Sequence, residues 1–148
     1  AALVAAGSFQ LLADPGKARS ALARIRAHLV PPRLLLMDLF VPDAAVHRPG
    51  APEVEIRSVR DAQGARITLR SEATVDADAR LLSMRLRYER RGEGGAIARE
   101  DEALAITWYD EDEIVALLRA AGYDTVTIEP PAWGNGARAF GVRATASR

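Results

Sequence analysis

The chain has 148 residues, 20 basic against 20 acidic, and no cysteine. That length supports one domain with its own core. Balanced charge argues against a nucleic-acid or acidic-membrane partner recruited by bulk electrostatics, and the lack of cysteine excludes disulfides, thiol nucleophiles and cysteine-ligated metals.

The first predicted element is a buried strand, Ala1–Ala6, ending at Gly7-Ser8. No basic segment precedes it, which argues against a signal peptide. The abrupt start without an initiator Met suggests an upstream portion. After Phe9-Gln10-Leu11-Leu12, Asp14 is an N-cap and Pro15 is preorganised for the first helical position. Ala18, Leu22, Ile25 and Leu29 then recur at helical spacing, and Pro31-Pro32 ends the helix. Residues 33–41 read as a short apolar strand buried on both faces, interrupted by Asp38. A carboxylate there needs a partner or a place at the open carboxyl end of a sheet, where α/β proteins bind ligands. Strand, helix and strand make a crossover long enough to join parallel neighbours.

Beyond Pro42 the texture changes. Asp43–Pro52 is loop-like, and from Glu53 the pattern alternates with period 2. Val54 and Ile56 open it. Ile67, Leu69 and Ser71 follow, then Leu82, Met84, Leu86 and Tyr88, and a last run extends from Ile97 to Tyr109. Turns are predicted at Asp61–Gly64, Ala77-Asp78 and Gly92–Gly95. This is an antiparallel meander with one apolar face and one face rich in Arg and Glu, suited to cross-strand ion pairs. Asp110 and Glu113 have capping-box spacing and open a second helix with Ile114, Leu117, Leu118 and Ala121 on its apolar face and Gly122 at its end. Asp124–Glu129 and Arg138–Thr145 read as a final pair of strands. No apolar run reaches the roughly 20 residues of a membrane span, so no membrane partner is expected, and the expected location is cytoplasmic.

The chain has no nucleophile elbow, phosphate-binding Gly-rich loop or zinc-protease motif. Its acidic residues form no compact ligand pattern, so no metal is expected. His28 sits near a helix C-terminus, and His47 lies in a loop from which it can reach a site. Aromatics are few. Phe9 and Phe40 end the two parallel strands, and Tyr88, Trp108 and Tyr109 end meander strands. Each serves core packing if taken alone, but together they can line one apolar cleft suited to a small molecule.

Three stretches carry a resemblance: Ala5-Ala6-Gly7-Ser8-Phe9-Gln10-Leu11-Leu12, Arg24-Ile25-Arg26-Ala27-His28-Leu29 leading into Arg33–Pro42, and Trp108-Tyr109-Asp110 leading through Glu113 to Ala121-Gly122-Tyr123. They resemble the second half of class I S-adenosylmethionine-dependent methyltransferases. The resemblance implies an α/β fold, the C-terminal portion of a Rossmann-like methyltransferase sheet: strand-helix-strand, antiparallel meander insertion, helix and final hairpin. Residues 1–148 would be one partial domain, with 53–109 as the insertion. Such insertions occur in small-molecule N- and O-methyltransferases, including those acting on amino sugars.

The family's Gly-rich turn and ribose-binding acid have no counterpart here, so the resemblance implies that the chain alone is inactive. It implies S-adenosylmethionine as cofactor and a small-molecule acceptor. It places Ala6, Gly7, Ser8 and Phe9 beside the cofactor. Gln10 falls where some relatives carry a His base; an amide cannot act as a base, so the expectation for Gln10 is to orient an acceptor by hydrogen bonds. His47, Tyr88, Trp108 and Tyr109 are the candidates for the acceptor side. The alternative is a non-catalytic α+β module that binds a small molecule or pairs with a copy of itself as a homodimer through an edge strand at Glu53–Val59 or Arg138–Thr145.

Overall fold

The computed structural model describes residues 1–42, 52–92, 95–130 and 138–147. The chain divides into two compact units, one formed by Ala1–Asp43 with Ile106–Arg148 and the other by Ala44–Ala105.

The first unit holds the strands β1 (Ala2–Val4), β2 (Arg33–Val41), β7 (Thr125–Glu129) and β8 (Arg138–Ala146), and the helices α1 (Pro15–His28) and α2 (Glu111–Ala120). Its sheet runs β1-β2-β8-β7. β1 and β2 pair in parallel, Ala2 opposite Leu35 and Val4 opposite Met37, as the strand-helix-strand pattern predicts. β8 runs antiparallel to β2 along its whole length and to β7 on its other side. It is therefore an inner strand, and the expectation that Arg138–Thr145 offers a free edge is corrected. A strand flanked on both sides has its backbone donors and acceptors spent in ladders.

Local chemistry sets the helix ends. The Asp14 carboxylate accepts the Lys17 backbone N–H at 2.7 Å and so caps α1. Asp110 and Glu113 form the capping box that opens α2. Gly122, just past α2, takes φ +89°, and its carbonyl accepts Nε of Arg26 at 2.9 Å, which ties the two helix ends together. Ala18 and Leu22 of α1, and Ile114 and Leu118 of α2, are fully buried. They complete a core with Leu35, Met37 and Leu39 of β2 and Val142 and Ala144 of β8.

Burial along β2 alternates. Leu35, Met37, Leu39 and Val41 are buried, whereas Leu34, Leu36, Asp38 and Phe40 are half-buried. On that second face Leu3, which pairs with Leu36, is 69% exposed. The expectation of burial on both faces is thus corrected: the helices of this unit cover one side of the sheet.

The second unit is the predicted meander: β3 (Glu53–Arg60), β4 (Arg66–Asp76), β5 (Leu81–Arg91) and β6 (Ile97–Thr107) as far as Ala105, paired in sequence order. Leu69 faces Tyr88, Ser71 faces Leu86, Ala73 faces Met84 and Val75 faces Leu82, which sets the apolar face at the predicted phase. β3 is out of phase with it. Val54 and Ile56 pair with Glu72 and Arg70 on the charged face, and every residue of β3 is exposed. On that face Arg87 bonds Asp101 at 2.7 Å and Arg99 bonds Glu89 at 2.8 Å across β5 and β6. The turn from β3 to β4 is held by Asp61, whose carboxylate accepts the backbone N–H of Gln63 and Ala65 and Nε of Arg90, each at 2.9 Å.

Candidate functional site

The carboxyl ends of the parallel strands β1 and β2 lie together, and the segment after β1 is where the backbone departs from ordinary geometry. Ala6 has φ +56° and Gly7 φ +68°, two left-handed residues in succession. For a residue with a Cβ such a conformation costs of order 1–3 kcal/mol, and strain of this kind concentrates at functional sites. A turn follows: the Ser8 backbone N–H and side-chain hydroxyl both donate to Ala5 O, at 3.1 and 2.7 Å. Ser8–Leu11 then forms one turn of 3-10 helix.

This turn is packed against the end of β2. A Cβ on Gly7 would stand 2.7 Å from Cε1 of Phe40 and 3.1 Å from Oε1 of Gln10. Only glycine satisfies both the positive φ and the approach of the Phe40 ring. Phe9 is buried, and its ring lies 5.9 Å from that of Tyr109, tilted by 38°. That contact joins the segment after β1 to the segment that enters α2.

Gln10 is fully buried, and its amide is spent on the backbone. Nε2 donates to Phe40 O at 2.8 Å and to Thr107 O at 3.0 Å, while Oε1 accepts the Phe40 N–H at 2.9 Å. Both amide hydrogens are used and the orientation of the amide is fixed, because a backbone N–H can only be met by oxygen.

The structure thus brings together Gly7, Phe9, Gln10, Phe40, Thr107 and Tyr109, while Ala6 and Ser8 are exposed at the rim. Trp108 is buried, 7% exposed, so it packs the core beside this cluster. Burial pushes the Tyr109 phenol above its ordinary range, the Glu113 carboxylate adds to that, and Arg19 opposes it. At neutral pH Tyr109 is therefore a neutral hydroxyl, fit to donate a hydrogen bond but not to take a proton. Asp38 is half-buried, two residues before Phe40 and opposite Gly141, and among the described residues it has no hydrogen-bond or ion-pair partner. Tyr88 belongs to the meander, half-buried opposite Leu69. His47 lies outside the described residues. Phe40 was visible in the sequence as an aromatic at a strand end, whereas nothing in the sequence marked Thr107.

The meander carries a groove of about 390 Å³ lined by Arg70, Glu72, Arg85, Arg87 and Asp101. Two of its three arginines are neutralised locally, Arg70 by Glu72 at 2.6 Å and Arg87 by Asp101. None of the sequence-predicted site residues lines it. Among the described residues no group of His, Asp and Glu is arranged to hold a metal ion.

No protein-family model matches the chain, and no curated protein matches it by sequence. Solved structures match it closely in fold. A S-adenosylmethionine-dependent methyltransferase from Clostridium acetobutylicum superposes with TM-score 0.73 at 12% identity, over 99% of this chain and 57% of that one. CalS10, an amino pentose methyltransferase from Micromonospora echinaspora, gives TM-score 0.67 at 22% identity, over 95% of this chain and 57% of that one. The sugar N-methyltransferase KedS8 from a Streptoalloteichus species gives 0.71 at 16% identity, over 99% and 56%. The chain therefore has the class I S-adenosylmethionine-dependent methyltransferase fold. It spans little more than half the length of these structures, and so it is a partial version of that fold.

Proposed function

We propose that this chain is part of an enzyme that transfers a methyl group from S-adenosylmethionine to a small molecule, with a sugar amine as the leading acceptor class. The observation that supports this most is the left-handed pair Ala6-Gly7 at the carboxyl ends of β1 and β2, within a methyltransferase fold. Ligands of open α/β sheets bind at such ends. The amino-sugar class rests on the acceptors named for CalS10 and KedS8.

The residues present fit one side of the cofactor. Ala5, Ala6 and Ser8 are small and exposed, so a flat ligand can lie against backbone there, and Gly7 holds the turn close to β2. When bound, S-adenosylmethionine supplies an electrophilic methyl group on a sulfonium. Ala6, Gly7 and Ser8 would line it, and Phe9, buried against Tyr109, would fix the line they form. Tyr109, backed by the buried Trp108, would shape the acceptor side and exclude water. In such a reaction alignment and a dry site supply most of the protein's contribution. Nothing in the chain supplies a Gly-rich turn for the nucleotide, so the remaining contacts are assigned to the rest of the enzyme, and the chain by itself is expected to be inactive.

The test is transfer of labelled methyl from S-adenosylmethionine by the full-length protein to a panel of amino sugars, amines and alcohols. Turnover confined to amino sugars supports the whole reading. Turnover on other acceptors keeps methyl transfer and removes the sugar. Absence of any turnover together with absence of cofactor binding removes both.

A second reading is favoured by β3. It is an edge strand of the meander, with Val54, Ile56 and Val59 at 44, 61 and 62% exposure. Such an edge is a template for pairing with a second copy, so a homodimer through β3 is proposed, as a role held alone or alongside catalysis. Ile56→Pro, which removes a backbone donor from that edge, is expected to convert a dimer to a monomer in sedimentation. A monomeric unsubstituted protein would remove this reading.

A further inference from the structure

We propose that Gln10 is a positioning residue that acts as a one-residue extension of the sheet. It holds the segment after β1 against β2 and the entry to α2, and it does not itself contact an acceptor. The inference rests on the methyltransferase reading only for its effect on cofactor affinity; the clamp itself stands on geometry.

β1 ends at Val4, opposite Met37, so from Asp38 onward that side of β2 has lost its strand partner. The Phe40 peptide faces this gap. Gln10 meets it with two antiparallel hydrogen bonds, Phe40 N–H to Oε1 at 2.9 Å and Nε2 to Phe40 O at 2.8 Å. That reciprocal pair is what a hydrogen-bonded residue pair makes in an antiparallel ladder. The second amide hydrogen reaches Thr107 O at 3.0 Å, the residue before Trp108 and Tyr109. A single buried amide therefore closes three backbone groups, and in doing so it joins the turn of Ala6 and Gly7 to both neighbouring segments. Oε1 also stands 3.1 Å from where a Cβ of Gly7 would be, so the amide forms one wall of the turn it positions. A group with both donors spent on backbone and no exposed surface has no donor to offer a substrate.

Full-length protein with Gln10→Met, which keeps length and loses the amide, and with Gln10→Glu, which keeps the acceptor for the Phe40 N–H, separates the alternatives. Two readouts are needed: hydrogen exchange of the Phe40 amide relative to other β2 amides, and affinity for S-adenosylhomocysteine. The expected result for Gln10→Met is a selective rise in Phe40 exchange of tenfold or more and a loss of cofactor-analogue affinity of at least fivefold. Gln10→Glu should retain more of the Phe40 protection than Gln10→Met. Unchanged Phe40 exchange in Gln10→Met overturns the clamp. Lost protection with unchanged affinity overturns its positioning role. A rise in acceptor KM alone, with affinity and exchange unchanged, returns Gln10 to the acceptor side. If the unsubstituted protein does not bind the analogue, the methyltransferase reading fails instead, and the exchange result still decides the clamp.

Discussion

At Gly7 two demands coincide, a left-handed backbone and a phenyl ring 2.7 Å from where a Cβ would stand. Gly7→Ala should therefore destabilise the first unit by about 1–3 kcal/mol, seen as a lower urea midpoint with an unchanged slope. A neutral substitution would mean that the turn relaxes freely and that its geometry is not imposed. Ala6, with φ +56°, is the converse case. Ala6→Gly should stabilise by about 1 kcal/mol or less, the strain relieved being partly offset by a more flexible unfolded chain. Gln10→Met leaves the Phe40 N–H, Phe40 O and Thr107 O without their partner, and a loss on the order of 3 kcal/mol is expected. The importance of Gly7 was legible in the sequence, because a glycine directly after a strand is a backbone signal. The bonds of Gln10 were not, since they join residues 30 and 97 positions apart and no local pattern reports such a distance.

Among the elements, the helices and strands were legible where side-chain period and caps agree. Asp14-Pro15 and the Asp110–Glu113 box mark helix starts through orphan backbone donors that must be met, a requirement local in sequence. The phase of β4 against β5 followed from alternation alone, Leu69 opposite Tyr88. β3 misled because its alternating apolar residues, Val54 and Ile56, lie on the charged face, and alternation does not say which face a strand presents. For β2 the apolar run did not reveal that one face is less covered, because coverage is a property of what packs there. The β3–β4 turn makes a testable contribution to pH dependence. The Arg90 guanidinium, with the N–H groups of Ala65 and Gln63, holds the Asp61 carboxyl below its ordinary range. Arg70 does the same for Glu72, and Arg87 for Asp101. A depressed folded pKa contributes stability above the unfolded value, and that contribution is lost as pH falls through the folded value. The meander should therefore weaken below about pH 4, the unfolded carboxylate range. Asp61→Asn should lower stability at neutral pH and flatten part of this acid limb in urea unfolding followed by circular dichroism. An acid limb of unchanged steepness would show that Asp61 does not titrate with folding.

For the whole molecule, the fold relation is strong and the sequence relation weak. TM-scores near 0.7 accompany identities of 12 to 22%, as expected when a sheet and its core keep their pattern of burial while the other residues diverge. The chain spans little more than half of those structures, and among its described residues no helix is long and apolar enough to cross a membrane. The proposed S-adenosylmethionine site has one side at the ends of β1 and β2 and is completed by the rest of the enzyme. Its most direct test is calorimetric titration with S-adenosylhomocysteine of this 148-residue chain and of the full-length protein. Saturable binding by the full-length protein, absent or far weaker in the 148-residue chain and reduced by Gly7→Ala, is the result predicted. Absence of binding by the full-length protein would contradict the claim and leave the β3-edge dimerisation reading in its place.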